Sequence, residues 1–224
     1  MEWWVWLWGP FERACVGLGI SPSAITIAST VLAAVAAALL GTGHLSLGGW
    51  VYLLAASLDL VDGRVARAQG TSSPAGAFLD STLDRLAELL VFAALAVHFR
   101  SGPVLYAALG AATASVLVSY TRARGEALGL SGAARVGGMQ RAERVVLTGV
   151  PCALSPLADV LFGAGAGTLL VGSALALLAL LTSMTAARRS YSIWSTLRGP
   201  DPQSRPIGNV RWLESARRRA RLGQ

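Results

Sequence analysis

DLVDGRVARAQGTSSPAGAFLDSTLD, residues 59–84, sets four aspartates into a chain that is otherwise mostly hydrocarbon. A long apolar stretch leads into it at about 48–68, another leaves it at about 75–98, and the Gly-, Thr- and Ser-rich 70–74 between them reads as a turn. The run is therefore the tip of a hairpin of two membrane-length helices. A charged side chain at a bilayer centre costs at least about 2.5–3.5 kcal/mol, so four acids here read as a functional site. Asp59 and Asp62 are three residues apart, and Asp80 and Asp84 four apart. On helices both intervals put the side chains on one face, a turn apart. If the two faces meet, four negative charges converge and repel unless cations neutralise them. Oxygen-only donors with no Cys or His nearby suit Mg²⁺, Mn²⁺ or Ca²⁺ rather than zinc. Paired ions of this kind stabilise both the attacking and the leaving oxygens of phosphoryl displacement.

Working outward, further spanning stretches are expected at about 23–40, 104–128, 139–156 and 168–188, each near the roughly 20 residues that cross a bilayer. Pro22 suits the start of the first, while Gly41 and Gly43 end it. The alanine-rich residues 33–38 read as a surface for close helix packing. The expected fold is all-α: a polytopic integral membrane protein with six transmembrane helices. An N-terminal interfacial amphipathic segment (1–20) precedes the helical catalytic domain (21–195), and a basic cytoplasmic tail (196–224) follows it.

Composition agrees, with 54% hydrophobic and 14% charged residues among 224. The formal charge is +7, and all 19 basic residues are arginine. Such an excess in a membrane protein marks cytoplasmic loops and anionic lipid, not nucleic acid. With six crossings, Arg13, Arg64, Arg67, Arg122, Arg124, Arg135, Arg141, Arg144, Arg188, Arg189 and the tail share one side, and Arg100 stands on the other. The arginine-rich side, which also holds the aspartates, is expected to be cytoplasmic in a cell (inner or plasma) membrane. The opening MEWWVWLWGPFER lacks a basic n-region and a small-residue cleavage site, so no cleavable signal is expected. Its tryptophans suit the membrane interface. Cys15 and Cys152 have no metal or redox spacing, and His44 and His98 fall on the side away from the acids. Glu88, one turn beyond Asp84, is expected as a partner of Arg85.

The pattern Asp59-x2-Asp62-Gly63-x2-Ala66-Arg67-x8-Gly76-x3-Asp80-x3-Asp84 resembles the signature of the CDP-alcohol phosphotransferases (CDP-alcohol phosphatidyltransferases), membrane enzymes of phospholipid synthesis, at all eight fixed positions. The resemblance implies attack by an acceptor hydroxyl on the lipid-linked phosphorus of a CDP-alcohol such as CDP-diacylglycerol, with release of CMP. It implies that Asp59, Asp62, Asp80 and Asp84 hold two Mg²⁺ or Mn²⁺ ions, with Asp84 as general base. Gly63, Ala66, Arg67 and Gly76 are implied to bind the CDP-alcohol, and relatives form homodimers. Pro22 and Thr26 match part of a Pro-Asn-x-x-Thr pattern before the first helix, with Ser23 in place of Asn. The segments 119–126 and 140–144 look like those of bacterial members that accept a phosphorylated alcohol, especially phosphatidylinositol-phosphate synthases. Arg122, Arg141, Arg144 and Arg188 are then candidates for the acceptor phosphate, through charge-assisted hydrogen bonds. Glycerol 3-phosphate carries the same charge, leaving a phosphatidylglycerophosphate synthase as the alternative. Acids on membrane helices also form ion pathways, so a divalent-cation transporter is the competing class. The gathering of the acids at one end, beside arginines, favours bound phosphates.

Overall fold

A computed structural model describes residues 2–135 and 137–198, with side chains from Trp8 onward. The described residues form eight helices and no strand: α1 (Glu2–Gly17), α2 (Pro22–Gly41), α3 (Leu45–Ala68), α4 (Pro74–Phe99), α5 (Pro103–Ala127), α6 (Ser131–Ala134), α7 (Arg141–Phe162) and α8 (Ala166–Arg198). Five of these, α2, α3, α5, α7 and α8, are long and apolar enough to cross a membrane. The expected sixth, α4, has the length, 26 residues, but carries Asp80, Asp84, Arg85 and Glu88 and does not qualify on apolarity. The chain is a polytopic, all-α membrane protein. Exposed Val31, Val35, Leu54, Leu109, Leu177 and Leu180 form an outer surface that suits lipid rather than water.

Local chemistry sets the helix ends that matter for the site. Ser21 caps α2 by accepting from Ala24 N, and Ser73 caps α4 by accepting from Gly76 N, each followed by a proline in the first helical turn. The starts of α2, α4 and α7 lie at the same end of the bundle as the ends of α3, α5 and α8, as successive antiparallel helices require. At the opposite end the connections are the short segments 42–44, 100–102 and 163–165.

α2 packs against α3 and α4, α5 against α8, and α7 bridges α3 and α8. The core is built from small residues, including Ala33, Ala36, Ala37, Ala55, Ala87, Ala108 and Ala111, with Leu40, Phe92, Leu95, Leu175 and Leu178 filling between them. Gly49 of α3 permits the closest approach to α7, since a Cβ there would lie 2.8 Å from Gly149 O and 2.9 Å from Ala153 Cα. α7 continues to Phe162 through Pro151 and Pro156, past its expected end. Pro156 cannot donate to Cys152 O, and the Ser155 hydroxyl donates to that carbonyl instead, at 2.8 Å. α8 is also longer than expected, reaching Arg198.

α1 is held to α3 by Glu12–Arg64 at 2.6 Å and by Cys15, Val61, Val65 and Ile25 packing together. Both cysteines are free and buried. The side chains of Trp3, Trp4 and Trp6, and the basic tail beyond Arg198, lie outside the described residues.

Candidate active site

The two acid pairs meet as their spacing requires. Carboxylate oxygens of Asp59, Asp62 and Asp80 lie within 4.8 Å of one another. α2 supplies two hydroxyls behind them: Thr26 Oγ1 donates to Asp62 Oδ2 at 2.5 Å, while Ser29 Oγ donates to Thr26 O at 2.8 Å and stands 3.4 Å from Asp59 Oδ1. Three residues up α2 match three residues down α3, the register of an antiparallel pair. Gly63 N donates to Asp62 Oδ1 at 2.5 Å, so both oxygens of Asp62 are held. Thr26 belongs to the partial motif noted in the sequence. Ser29 went unnoticed, and its only sequence signal is that it repeats the Asp59–Asp62 interval on the neighbouring helix.

Asp84 borders this group and is tied to α7. Arg141 Nη1 donates to Asp59 Oδ2, while Arg141 Nη2 stands 2.8 Å from Asp84 Oδ1. Glu88, one turn further along α4, does not pair with Arg85. It makes a two-pronged, buried ion pair with Arg144, Nε–Oε1 2.6 Å and Nη2–Oε2 3.0 Å. Arg85 Nη1 turns back to Ser81 O. The loop before α7 is pinned to α8, with Met139 N donating to Thr185 Oγ1 at 3.0 Å and Arg144 Nη1 to Met139 O at 3.2 Å.

Two cavities open on either side of the acids. The larger, 570 Å³, is bordered by Asp62 and Asp80 and lined by all four residues expected to bind the nucleotide lipid, Gly63, Ala66, Arg67 and Gly76. The first turns of α2 and α4 also line it, through Ser21, Pro22, Ser73 and Ala77. Helix N-termini and an arginine around one cavity favour an anion such as a diphosphate. A Cβ on Gly63 would meet only the tip of Arg67, Nη1 at 3.4 Å, so the bare backbone keeps open space in the cavity rather than helix packing.

The smaller cavity, 270 Å³, is bordered by Asp84 and lined by Arg122, Arg141, Arg144 and Arg189. Arg188 is not brought here: it is exposed, and its neighbour Arg189 is buried at the cavity with Nη1 donating to Val118 O at 2.6 Å. The pair Arg188-Arg189 is visible in the sequence, but only the rotation of α8 tells which one faces inward.

The donor set suits a hard cation. Ligand distances of about 2.0–2.6 Å put two oxygens of one coordination shell at most about 4–5 Å apart. Oxygens of the three carboxylates, all within 4.8 Å of one another, are close enough to approach one such ion.

Fold and site together define a polytopic membrane protein that gathers acids on neighbouring helices between an anion-friendly cavity and an arginine-lined one. The family model of the CDP-alcohol phosphatidyltransferases matches residues 19–185, and the chain belongs to that family. It is a transferase of phospholipid synthesis. The phosphatidylinositol phosphate synthase of Mycobacteroides abscessus is 35% identical over 190 residues, 82% of each chain. The crystal structure of Mycobacterium tuberculosis phosphatidylinositol phosphate synthase with CDP-DAG bound superposes with a TM-score of 0.72 at 29% identity, covering 88% of this chain and 96% of that one. The structure of the same enzyme in complex with manganese and citrate has a TM-score of 0.72 at 28% identity, covering 88% and 91%.

Proposed function

We propose that this protein transfers the phosphatidyl group of CDP-diacylglycerol to a hydroxyl of inositol phosphate, releasing CMP. The observation that carries the reading is the position of the acids between the two cavities: Asp62 and Asp80 border the cavity of Gly63, Ala66, Arg67 and Gly76, and Asp84 borders the arginine-lined one. A donor and an acceptor, one in each, would meet across them. The similarity to synthases named for phosphatidylinositol phosphate supports the choice of acceptor.

In this reading Asp59, Asp62 and Asp80 hold Mg²⁺ or Mn²⁺, with Asp84 contributing to a second ion. Bound divalent cations supply charge stabilisation for the diphosphate and the departing CMP. Thr26 and Gly63 N orient Asp62, and Ser29 stands beside Asp59. Arg67 and the first turns of α2 and α4 place the diphosphate, while Arg122, Arg144 and Arg189 place the acceptor phosphate. Asp84 takes the proton of the attacking hydroxyl as it adds to the lipid-linked phosphorus.

The same reading has α4 crossing as the sixth span, packed against α2 and α5 with Asp84 and Glu88 facing arginines of α7, and the acidic end facing the cytoplasm. A homodimer belongs to it as well. A groove of 510 Å³ between α5 and α8, lined by small residues such as Gly110, Ala114, Ala186 and Ala187, leaves room for a second helix.

The test offers labelled inositol phosphate, glycerol 3-phosphate, free inositol and serine in parallel to purified protein with CDP-diacylglycerol and Mn²⁺. Lipid product and CMP from inositol phosphate alone are expected. Product from glycerol 3-phosphate instead would transfer the chain to the alternative acceptor, and metal flux into proteoliposomes without CMP would overturn the enzymatic reading.

A further inference from the structure

Arg141 stands at the boundary of both halves of the site. Its Nη1 donates to Asp59 Oδ2 and its Nη2 lies 2.8 Å from Asp84 Oδ1. Asp59 is one of the three acids whose oxygens converge within 4.8 Å. A divalent cation among those acids and the Arg141 guanidinium therefore compete for the same carboxylate, and they repel each other as like charges.

The other arginines around the 270 Å³ cavity are held by groups outside the acidic cluster. Arg144 is locked by Glu88, Arg189 donates to Val118 O, Arg85 donates to Ser81 O, and Arg122 pairs with Glu126 at 3.1 Å. Arg141 is held by the acids themselves. Its Nε is buried without a hydrogen-bond partner. The side chain borders both the narrow cleft beside Asp59 and Tyr52 and the 270 Å³ cavity. It springs from the first residue of α7, and its long side chain has several staggered rotamers by which the head can turn from one to the other.

We propose that Arg141 is a resident counter-ion of the acidic site, which a divalent cation displaces, and that the released guanidinium turns into the arginine-lined cavity to complete a phosphate site there. The inference rests on the reading of Asp59, Asp62 and Asp80 as metal ligands and deepens it. Metal loading and acceptor binding are then coupled, each strengthening the other by the same factor. The acceptor site is incomplete until the ion is in place.

The test uses the full-length protein in detergent, with no nucleotide or acceptor present, and follows free Mn²⁺ by its paramagnetic resonance signal. R141Q should bind Mn²⁺ about tenfold more tightly than the unaltered protein, within the roughly 5–150-fold range of ordinary site–site coupling. R124Q removes the same charge from an exposed position outside both cavities and should shift affinity by less than about twofold, as expected for a solvent-screened charge. A second measurement needs no variant: phenylglyoxal, an arginine-specific reagent, should modify Arg141 severalfold faster with Mn²⁺ than without, as read by peptide mass spectrometry. Equal Mn²⁺ affinity in R141Q, or Arg141 labelling that Mn²⁺ leaves unchanged, sinks the exchange even if D59N loses the ion. No Mn²⁺ binding by the unaltered protein removes the ligand reading, and the exchange with it.

Discussion

Asp84→Asn exchanges one carboxylate oxygen for an amide nitrogen at constant volume, so it removes the proton-accepting role, and the charge offered to a second ion, without a change of shape. CMP release should fall at least about 100-fold, the usual contribution of a positioned base, with the thermal unfolding midpoint little changed. Unaltered CMP release would exclude the role. Gly63→Ala separates binding from folding in the opposite direction. Alanine is favoured over glycine by about 0.8–1.0 kcal/mol inside a helix, and the new Cβ meets only the end of Arg67, so stability should hold or rise. The KM for CDP-diacylglycerol should nevertheless increase, because the methyl group occupies the cavity. Glu88→Ala leaves Arg144 buried without its carboxylate and should cost about 3–5 kcal/mol in unfolding experiments. The four aspartates were legible in the sequence because an acid between apolar spans has few other uses. The Glu88–Arg144 pair was not, since the partners are 56 positions apart and no local spacing connects them.

At the scale of helices, the hydrophobic runs and the Pro and Gly punctuation placed most spans to within a few residues. α7 and α8 outran expectation for different reasons. α7 runs on past about 156 to Phe162, because Ser155 satisfies the carbonyl that Pro156 leaves without a donor. Ser155→Ala should therefore destabilise the protein by about 1 kcal/mol, a single hydrogen bond's worth, as read from its unfolding midpoint. α8 continues past its apolar stretch because Thr185, Arg189 and Ile193 stay buried against neighbouring elements. Tight contact of α3 with α7 makes a sharper prediction. Gly49→Val places a side chain against the Gly149 carbonyl and Ala153, and overpacking of this kind costs about 1–3 kcal/mol. A Gly49→Val protein as stable as the parent would show that the helices separate easily.

For the whole molecule, the coupling of fold to membrane can be read by labelling. Cys15 and Cys152 are buried at 2% and 0% exposure, so an impermeant maleimide should find little background. Ser131→Cys at the acidic end should react only when the cytoplasmic face is open, and Ser101→Cys at the far end only from outside; the reverse pattern would invert the proposed topology. Stripping divalent ions with a chelator should abolish CMP release, and returning Mn²⁺ should restore it. The amino-acid sequence alone determined that this chain is a helical membrane protein, which end of it is basic, and which acids its helices gather there, because the chemistry of burying charge in hydrocarbon acts residue by residue. Only the packed structure decided that Arg189 rather than Arg188 faces the second cavity, that Ser29 stands behind Asp59, and that Arg141 spans two carboxylates. Those facts depend on the rotation of each helix about its axis and on contacts between distant segments, which side-chain spacing along one chain does not encode.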